Sequence, residues 1–230
     1  MDKCIPIEKA LENLRDGDCV MVGGFGVPGT PFTLINGLLE RGTSGLTLIK
    51  NEANEDGMGI SKLIEAGRAR KLICSHLGLN ATVIGMMNRN EIEVEFYPQG
   101  ILAEKIRAGG AGLIGILTDI GMDTILKEKK RCIEINGQRA IFEPALRADV
   151  ALIHAYMADP LGNLVYRKSA RNFNPLMATA GDTVIAEVEK IVDIGDLDPE
   201  HVHTPGAFVD HVVVIEKITS EYGVLKHHAL

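Results

Sequence analysis

The run Gly23-Gly24-Phe25-Gly26-Val27-Pro28-Gly29-Thr30-Pro31 limits what this chain can fold into more than any other stretch. Before it, Asp18-Cys19-Val20-Met21-Val22 reads as a short apolar strand. After it, a helical pattern covers residues 31–40, with Thr30 as cap and Pro31 in the first position. A strand that breaks into a glycine turn and re-forms as a helix is the first half of a βαβ unit. Glycines this close together imply tight turns and a close approach of backbone to a ligand or to another element. The alternation then continues. Residues 46–49, 71–75 and 91–96 read as strands, and residues 60–66 and 99–108 as helices, the last ending in Gly109-Gly110. Residues 91–96 alternate strictly, so one face of that strand is expected to be solvated. Beyond about Asp119 the pattern changes. Residues 131–135 and 139–142 flank Asn136-Gly137, the dipeptide of a type I′ hairpin, while 150–153 and 183–186 read as returning sheet strands. The expected fold class is α/β, an open, mainly parallel sheet with flanking helices and a small antiparallel addition. It is expected as one domain over residues 1–216, followed by a polar tail over 217–230.

Composition narrows the function classes. A formal net charge of −7 leaves no basic face to neutralise phosphates, which argues against a nucleic-acid partner. Mean hydropathy is high, at +0.10, yet no apolar stretch reaches the roughly 18 residues of a membrane span, so the apolar surplus points to a buried sheet or a large subunit interface. The opening MDKCIPIEKALENL has no apolar signal core and reads as an amphipathic helix. Four scattered cysteines without a CxxC pair read as reduced thiols, and a cytoplasmic location is expected.

The glycine run admits three readings. Gly24, Gly26 and Gly29 satisfy GxGxxG, and Glu52 follows at the distance where a dinucleotide-binding unit carries its acidic residue, which would make the chain a nicotinamide-dependent oxidoreductase. Pro28 and Pro31 weaken that reading, because each removes an amide donor from the place where phosphate would sit. A purely structural turn and a wall beside some other ligand are the alternatives. Other signals carry less. His201 and His203 have strand-like spacing but no third ligand nearby, so no metal site is expected. Residues 127–131 form a basic run that reads as a solvated turn. His227 and His228 fall in the polar tail.

Longer blocks add to this. Residues 16–25, continued by Gly29-Thr30-Pro31, resemble the signature of the A-type half of family I coenzyme A transferases. Tyr97-Pro98-Gln99-Gly100 leading to Gly109-Gly110-Ala111-Gly112, then Ser169-Ala170-Arg171-Asn172-Phe173-Asn174, then Thr204-Pro205-Gly206, resemble later segments of the same family in the same order. The resemblance implies an enzyme that moves coenzyme A from a short-chain acyl-CoA to a free acid, such as acetoacetate, acetate, butyrate or succinate, by ping-pong covalent catalysis on a glutamate. In the family that glutamate lies on the B-type half in a Ser-Glu-Asn-Gly context, which this chain lacks. The resemblance therefore implies no catalytic nucleophile here, with Glu52 excluded from that role. It also implies a B-type partner in a two-plus-two assembly, and no metal or bound redox cofactor, coenzyme A arriving as a substrate. The implied substrate-binding residues are Gly24, Phe25, Gly26 and Gly29 as a wall, Gln99 and Gly100 beside the reacting carbonyl, and Asn51 as the partner that positions Gln99. Residues 109–112 have the form of a helix C-cap followed by a turn into 113–117, the favoured reading, with a close approach to ligand as the alternative, and Arg171 and Asn172 are expected to touch substrate or to seal the subunit contact. A non-catalytic homo-oligomeric binding protein of the same fold is the remaining alternative.

Overall fold

The structure, a computed structural model, describes residues 2–128 and 130–224. In chain order its elements are α1 (Ile7–Ala10), β1 (Cys19–Val22), α2 (Phe32–Arg41), β2 (Leu46–Ile49), α3 (Ile60–Glu65), β3 (Ala69–Cys74), α4 (Ala81–Asn88), β4 (Glu93–Phe96), α5 (Gln99–Gly110) and β5 (Gly115–Thr118). They continue with β6 (Cys132–Ile135), β7 (Gln138–Pro144), β8 (Ala148–Ala158), β9 (Leu164–Val165), α6 (Asn174–Ala180), β10 (Gly181–Ile191) and β11 (His211–Val214). The main sheet runs β11-β10-β8-β1-β2-β3-β4, every neighbouring pair parallel, with β9 added antiparallel to β8. This is the expected open, mainly parallel α/β sheet. The antiparallel addition is larger than expected, because β5 joins the hairpin in a three-stranded sheet, β5-β7-β6. The hairpin turn is the type I′ expected, with Asn136 and Gly137 both at positive φ, 54° and 78°. Among the described residues no helix is long and apolar enough to cross a membrane.

Alternation along the central strands makes two cores. Val20 and Val22 of β1, Leu48 of β2, Leu72 of β3 and Leu152 of β8 face Leu34, Ile35 and Leu38 of α2 and Ile60, Leu63 and Ile64 of α3. Met21, Ile49, Ile73, Ala151 and Ile153 face the other way, onto Ile101, Leu102 and Ile106 of α5 and Met177 of α6. Each fully buried aliphatic side chain contributes on the order of 1.5–3 kcal/mol. Central strands therefore have no solvated face, as parallel sheets covered on both sides require. At the edge, β4 carries Glu93 and Glu95 on one face, both paired with Lys71 at 2.8 and 2.7 Å.

Several local readings are corrected. The opening helix is a single turn, α1. Helix α2 begins at Phe32, with Pro31 as its N-cap. Thr30 does not cap it, since its hydroxyl donates to the carbonyl of Gly26 (2.6 Å). The basic run is not a plain solvated turn, because Lys130 reaches Glu143, which also pairs with the buried Lys105 at 3.1 Å, and both lysines lie over the ring of Tyr97. Gly109 and Gly110 end α5, as the favoured reading of that segment has it, and pack against protein. A Cβ on Gly109 would fall 1.9 Å from the carbonyl oxygen of Leu146, and one on Gly110 would fall 2.0 Å from Oγ1 of Thr179.

The strands β8 and β10 run longer than the sequence pattern implies, and the extra residues include a buried polar cluster. Glu187 on β10 accepts the amide of Leu34 (2.9 Å), so a carboxylate supplies the cap that Pro31 cannot. His154 on β8 is 2% exposed, with Nδ1 3.0 Å from Glu187 and Nε2 3.2 Å from Glu189. Within the stretch read as a tail, Ser220–Val224 forms a 3₁₀ turn, and the hydroxyl of Tyr222 lies 2.9 Å from His154 Nδ1 and donates to the carbonyl of Thr30. Residues 225–230, with His227 and His228, lie outside the described residues.

Burial opposes a charge on His154, but its bonds to Glu187 and Glu189 outweigh that, and its pKa rises from 6.5 to about 9. The folded state thus holds a proton that the unfolded chain releases above about pH 6.5. This stabilisation is complete below about pH 6.5 and is lost as pH rises through about 9. Denaturant unfolding at pH 6, 7.5 and 9 should show a loss of up to about 3 kcal/mol across the window. His154→Gln should remove most of that slope.

Candidate active site

Because β1, β2, β3 and β4 are parallel, their carboxyl ends lie along one edge of the sheet, where open α/β folds place ligands. The segments leaving those ends are the glycine run after β1, Lys50-Asn51-Glu52 after β2, Ser75 after β3 and Pro98-Gln99 after β4. Chain order reverses between β1 and β8, next to this edge.

All four of these segments are joined by one hydrogen-bonded chain. Glu52 is 3% exposed and turned inward. Its Oε1 accepts from Lys50 Nζ (2.7 Å) and from the amide of Gly26 (3.1 Å). Its Oε2 accepts from Asn51 Nδ2 (2.6 Å). The Oδ1 of Asn51 in turn accepts from Ser75 Oγ (2.9 Å) and from Gln99 Nε2 (2.9 Å). Lys50 and Asn51 are fully buried, whereas Gln99 keeps solvent access. Burial draws the Lys50 ammonium below its usual pKa, with Glu52 opposing that shift. The structure therefore brings Asn51 and Gln99 together as expected. It also places Asn51 behind Gln99, out of reach of solvent, so only the glutamine amide presents itself at the lip. Gly100 follows at the start of α5, with open space around the position of a Cβ.

The glycine run is built against its neighbours. Gly24 and Gly29 have φ of +97° and +74°, and Cβ atoms there would fall 2.3 Å from Thr30 Oγ1 and 2.4 Å from the carbonyl oxygen of Ala170. Asn174, fully buried, donates to the carbonyls of Gly29 (3.0 Å) and Ala170 (2.8 Å) and accepts the amide of His154 (3.0 Å). Asn172 donates to the carbonyl of Pro28 (2.9 Å). Asn54 donates to the carbonyl of Gly26 (2.9 Å). Phe25 stands out of the loop, 44% exposed. Asn172, partly exposed, thus also holds the loop from behind. Of the bracing residues Lys50, Glu52, Asn54, Ser75 and Asn174, Glu52 stands out in sequence only as a dinucleotide-type acid and Asn174 only within a family block, and none is marked there as a brace. Lys50-Asn51-Glu52, a polar triplet straight after an all-buried strand, is the signal that could have found the first two.

This geometry opposes the dinucleotide reading of the loop. Gly26 N–H is already taken by a carboxylate, so an anion occupies the place a diphosphate would need. Glu52 is buried and ion-paired, and cannot reach a ribose hydroxyl. Three donors on Glu52 also remove it as a nucleophile. What remains at the lip is an uncharged amide donor beside a rigid backbone wall with one exposed aromatic ring. That suits the binding and polarisation of a carbonyl or carboxylate group.

Comparison with known proteins gives the family. The family model described as "Coenzyme A transferase" matches residues 5–214, and the chain belongs to that family. Relatives of similar length include alpha or A-type subunits. The alpha subunit of the acetate CoA-transferase of Escherichia coli is 46% identical over 94% of this chain and 98% of its own length. The A-type subunit of the succinyl-CoA:3-ketoacid coenzyme A transferase of Xanthomonas campestris is 48% identical over 87% of this chain and 83% of its own. In fold, the chain superposes with a TM-score of 0.84 and 24% identity on an acyl-CoA transferase of E. coli O157:H7 solved as a thioester complex with CoA. The match covers 95% of this chain but 48% of that one, so here the chain spans about half the length of its structural relative.

The loop's construction makes a testable distinction between glycines. Gly29→Ala meets both a positive φ and the backbone of Ala170, and should cost about 2–4 kcal/mol. Gly26→Ala has a positive φ but its nearest contact is at 4.0 Å, and should cost about 1–2 kcal/mol. Denaturant midpoints of the two variants against the parent chain check the order.

Proposed function

We propose that this chain is the A-type (alpha) half of a coenzyme A transferase that moves coenzyme A between a short-chain acyl-CoA and a free carboxylic acid. The acids proposed are a 3-oxo acid such as acetoacetate exchanging with acetate, butyrate or succinate. A B-type partner supplies the nucleophilic glutamate, and the two assemble as a two-plus-two tetramer. One observation carries this reading: an amide donor held at the lip of the sheet edge by a buried network, with the network's carboxylate, Glu52, turned away and engaged by three donors. The names of the relatives, alpha or A-type halves of transferases for acetate or for succinyl-CoA and 3-ketoacids, support the same reading.

In this mechanism the partner's glutamate attacks the thioester carbonyl carbon. The electron pair moves to the carbonyl oxygen, then returns as the C–S bond breaks, leaving an acyl-glutamyl anhydride and coenzyme A thiolate. The thiolate attacks the glutamyl carbonyl, releasing the first acid and forming a glutamyl-CoA thioester. The acceptor acid reverses these steps. Gln99 donates an N–H to the oxygen where negative charge develops. A neutral donor suits this position, because a lysine or arginine there would ion-pair with the attacking carboxylate and blunt it. The wall of residues 24–29 limits the acyl pocket, with Phe25 offering its apolar surface to the acyl chain. Gly100, without a side chain, leaves the approach to Gln99 open. Coenzyme A enters as a substrate, and the scheme draws on no metal or bound redox group.

The first test is to mix this chain with a B-type partner chain and follow consumption of acetoacetyl-CoA with acetate, against each chain alone. Activity in the mixture only is the expected result. Activity in neither the mixture nor the separate chains, over a range of acyl donors, would overturn the proposal. In the active mixture, Gln99→Ala should lower kcat by about 10²-fold, the scale of one lost oxyanion donor.

A further inference from the structure

We propose that the buried Lys50–Glu52 pair is the positioning device of this site: its acceptor-only carboxylate sets which way the amides of Asn51 and Gln99 face, and the same oxygens tie the glycine loop into that arrangement. The inference rests on the coenzyme A transferase reading for the role of Gln99, and on the structure for the rest.

An ionised carboxylate has only lone pairs to offer, whereas a primary amide has a donor end and an acceptor end. Glu52 Oε2 faces Asn51 at 2.6 Å, so Asn51 must turn its NH₂ toward it. That leaves Oδ1 of Asn51 pointing to Ser75 and Gln99. An acceptor there forces Gln99 to turn its own NH₂ inward on Asn51, and one of its two N–H groups is left over. The polarity at the lip is thus decided two side chains back, at a charge that no substrate touches. Lys50 holds that charge in place. It is fully buried, and Glu52 at 2.7 Å is the acceptor the structure gives it. A neutral amide in place of Glu52 would break the sequence at its first link. Its oxygen would stay with two donors, Lys50 and Gly26 N–H, and its NH₂ would meet the NH₂ of Asn51. Asn51 would have to flip, and Gln99 after it. The connection to Gly26 (3.1 Å) couples the same carboxylate to the loop, so donor and wall share one anchor. Glu52 and Lys50 are buried and act through Asn51, so they are positioning residues, not catalytic ones.

The test uses the active two-chain complex and a double-mutant cycle. Glu52→Gln should lower kcat by about 10-fold or more with KM for the acyl-CoA changed by less than about 3-fold, and should have less than about a 2-fold effect in a Gln99→Ala background. Two effects that simply multiply would overturn the inference, since Glu52 would then act without Gln99. If Glu52→Gln fails to assemble, Ser75→Ala takes its place. It removes one of the two donors on Asn51 Oδ1 and should lower kcat by about 3-fold, an effect again lost in the Gln99→Ala background. A second readout needs no activity. In the ¹⁵N-labelled full chain, the side-chain NH₂ signal of Gln99, assigned by its loss in Gln99→Ala, should move in Glu52→Gln or Ser75→Ala. An unmoved signal would overturn the relay even in an active enzyme. A moved signal with an inactive parent complex would keep the relay and reject the transferase reading.

Discussion

Everything at the functional edge depends on the sheet being dry on both faces. Val20, Met21, Val22, Leu48 and Ile49 are inaccessible to solvent, so none of them can carry chemistry. Polar side chains can meet a ligand only where the strands stop. Because the strands are parallel, they stop together. The fold therefore concentrates Lys50, Asn51, Ser75 and Gln99 along one line without any of them being close in sequence to all the others. The polar cluster that does lie inside the sheet, His154 with Glu187 and Glu189, is tolerated because each charge has a partner and one of them also caps α2.

Much of this is legible in the sequence. The strand, glycine run and helix at residues 18–41, the parallel alternation and the Asn136-Gly137 hairpin all have local causes, and local patterns reveal them. The misread strand lengths share one physical origin. Residues 150–153 and 183–186 read as short strands because His154 and Glu187 look like chain leaving the core. They are instead paired with each other across β8 and β10, which no local pattern records. Helix α4 escapes the sequence reading although Asn80 accepts the amide of Val83 (2.7 Å) as an N-cap does, because the residues it covers, several of them small or β-branched, have a weak helical stripe.

The candidate site divides in the same way. Gln99 and Asn51 stand out through the likeness of whole blocks to a family, and the structure joins them by a hydrogen bond. Glycines 24 and 29 are expected to make a wall, and the structure supplies the reason that they must be glycines. Their neighbours stand well inside the distance at which a side-chain carbon could be accommodated. The network behind them is not legible, because nothing in sequence ties Glu52, Ser75 and Asn174 to one another, and they become a unit only when the strand ends are aligned.

The glycine loop has a further consequence for how such a chain can diversify. At Gly23, Gly24 and Gly29 the space a side chain would need is already filled by Asn174, Thr30 and Ala170. Mutation there is met by the fold itself before it can be tested by any ligand. Phe25, by contrast, projects into the open from the middle of the same loop. A change of side chain at Phe25 can therefore retune what sits against the wall while the backbone beneath it stays fixed.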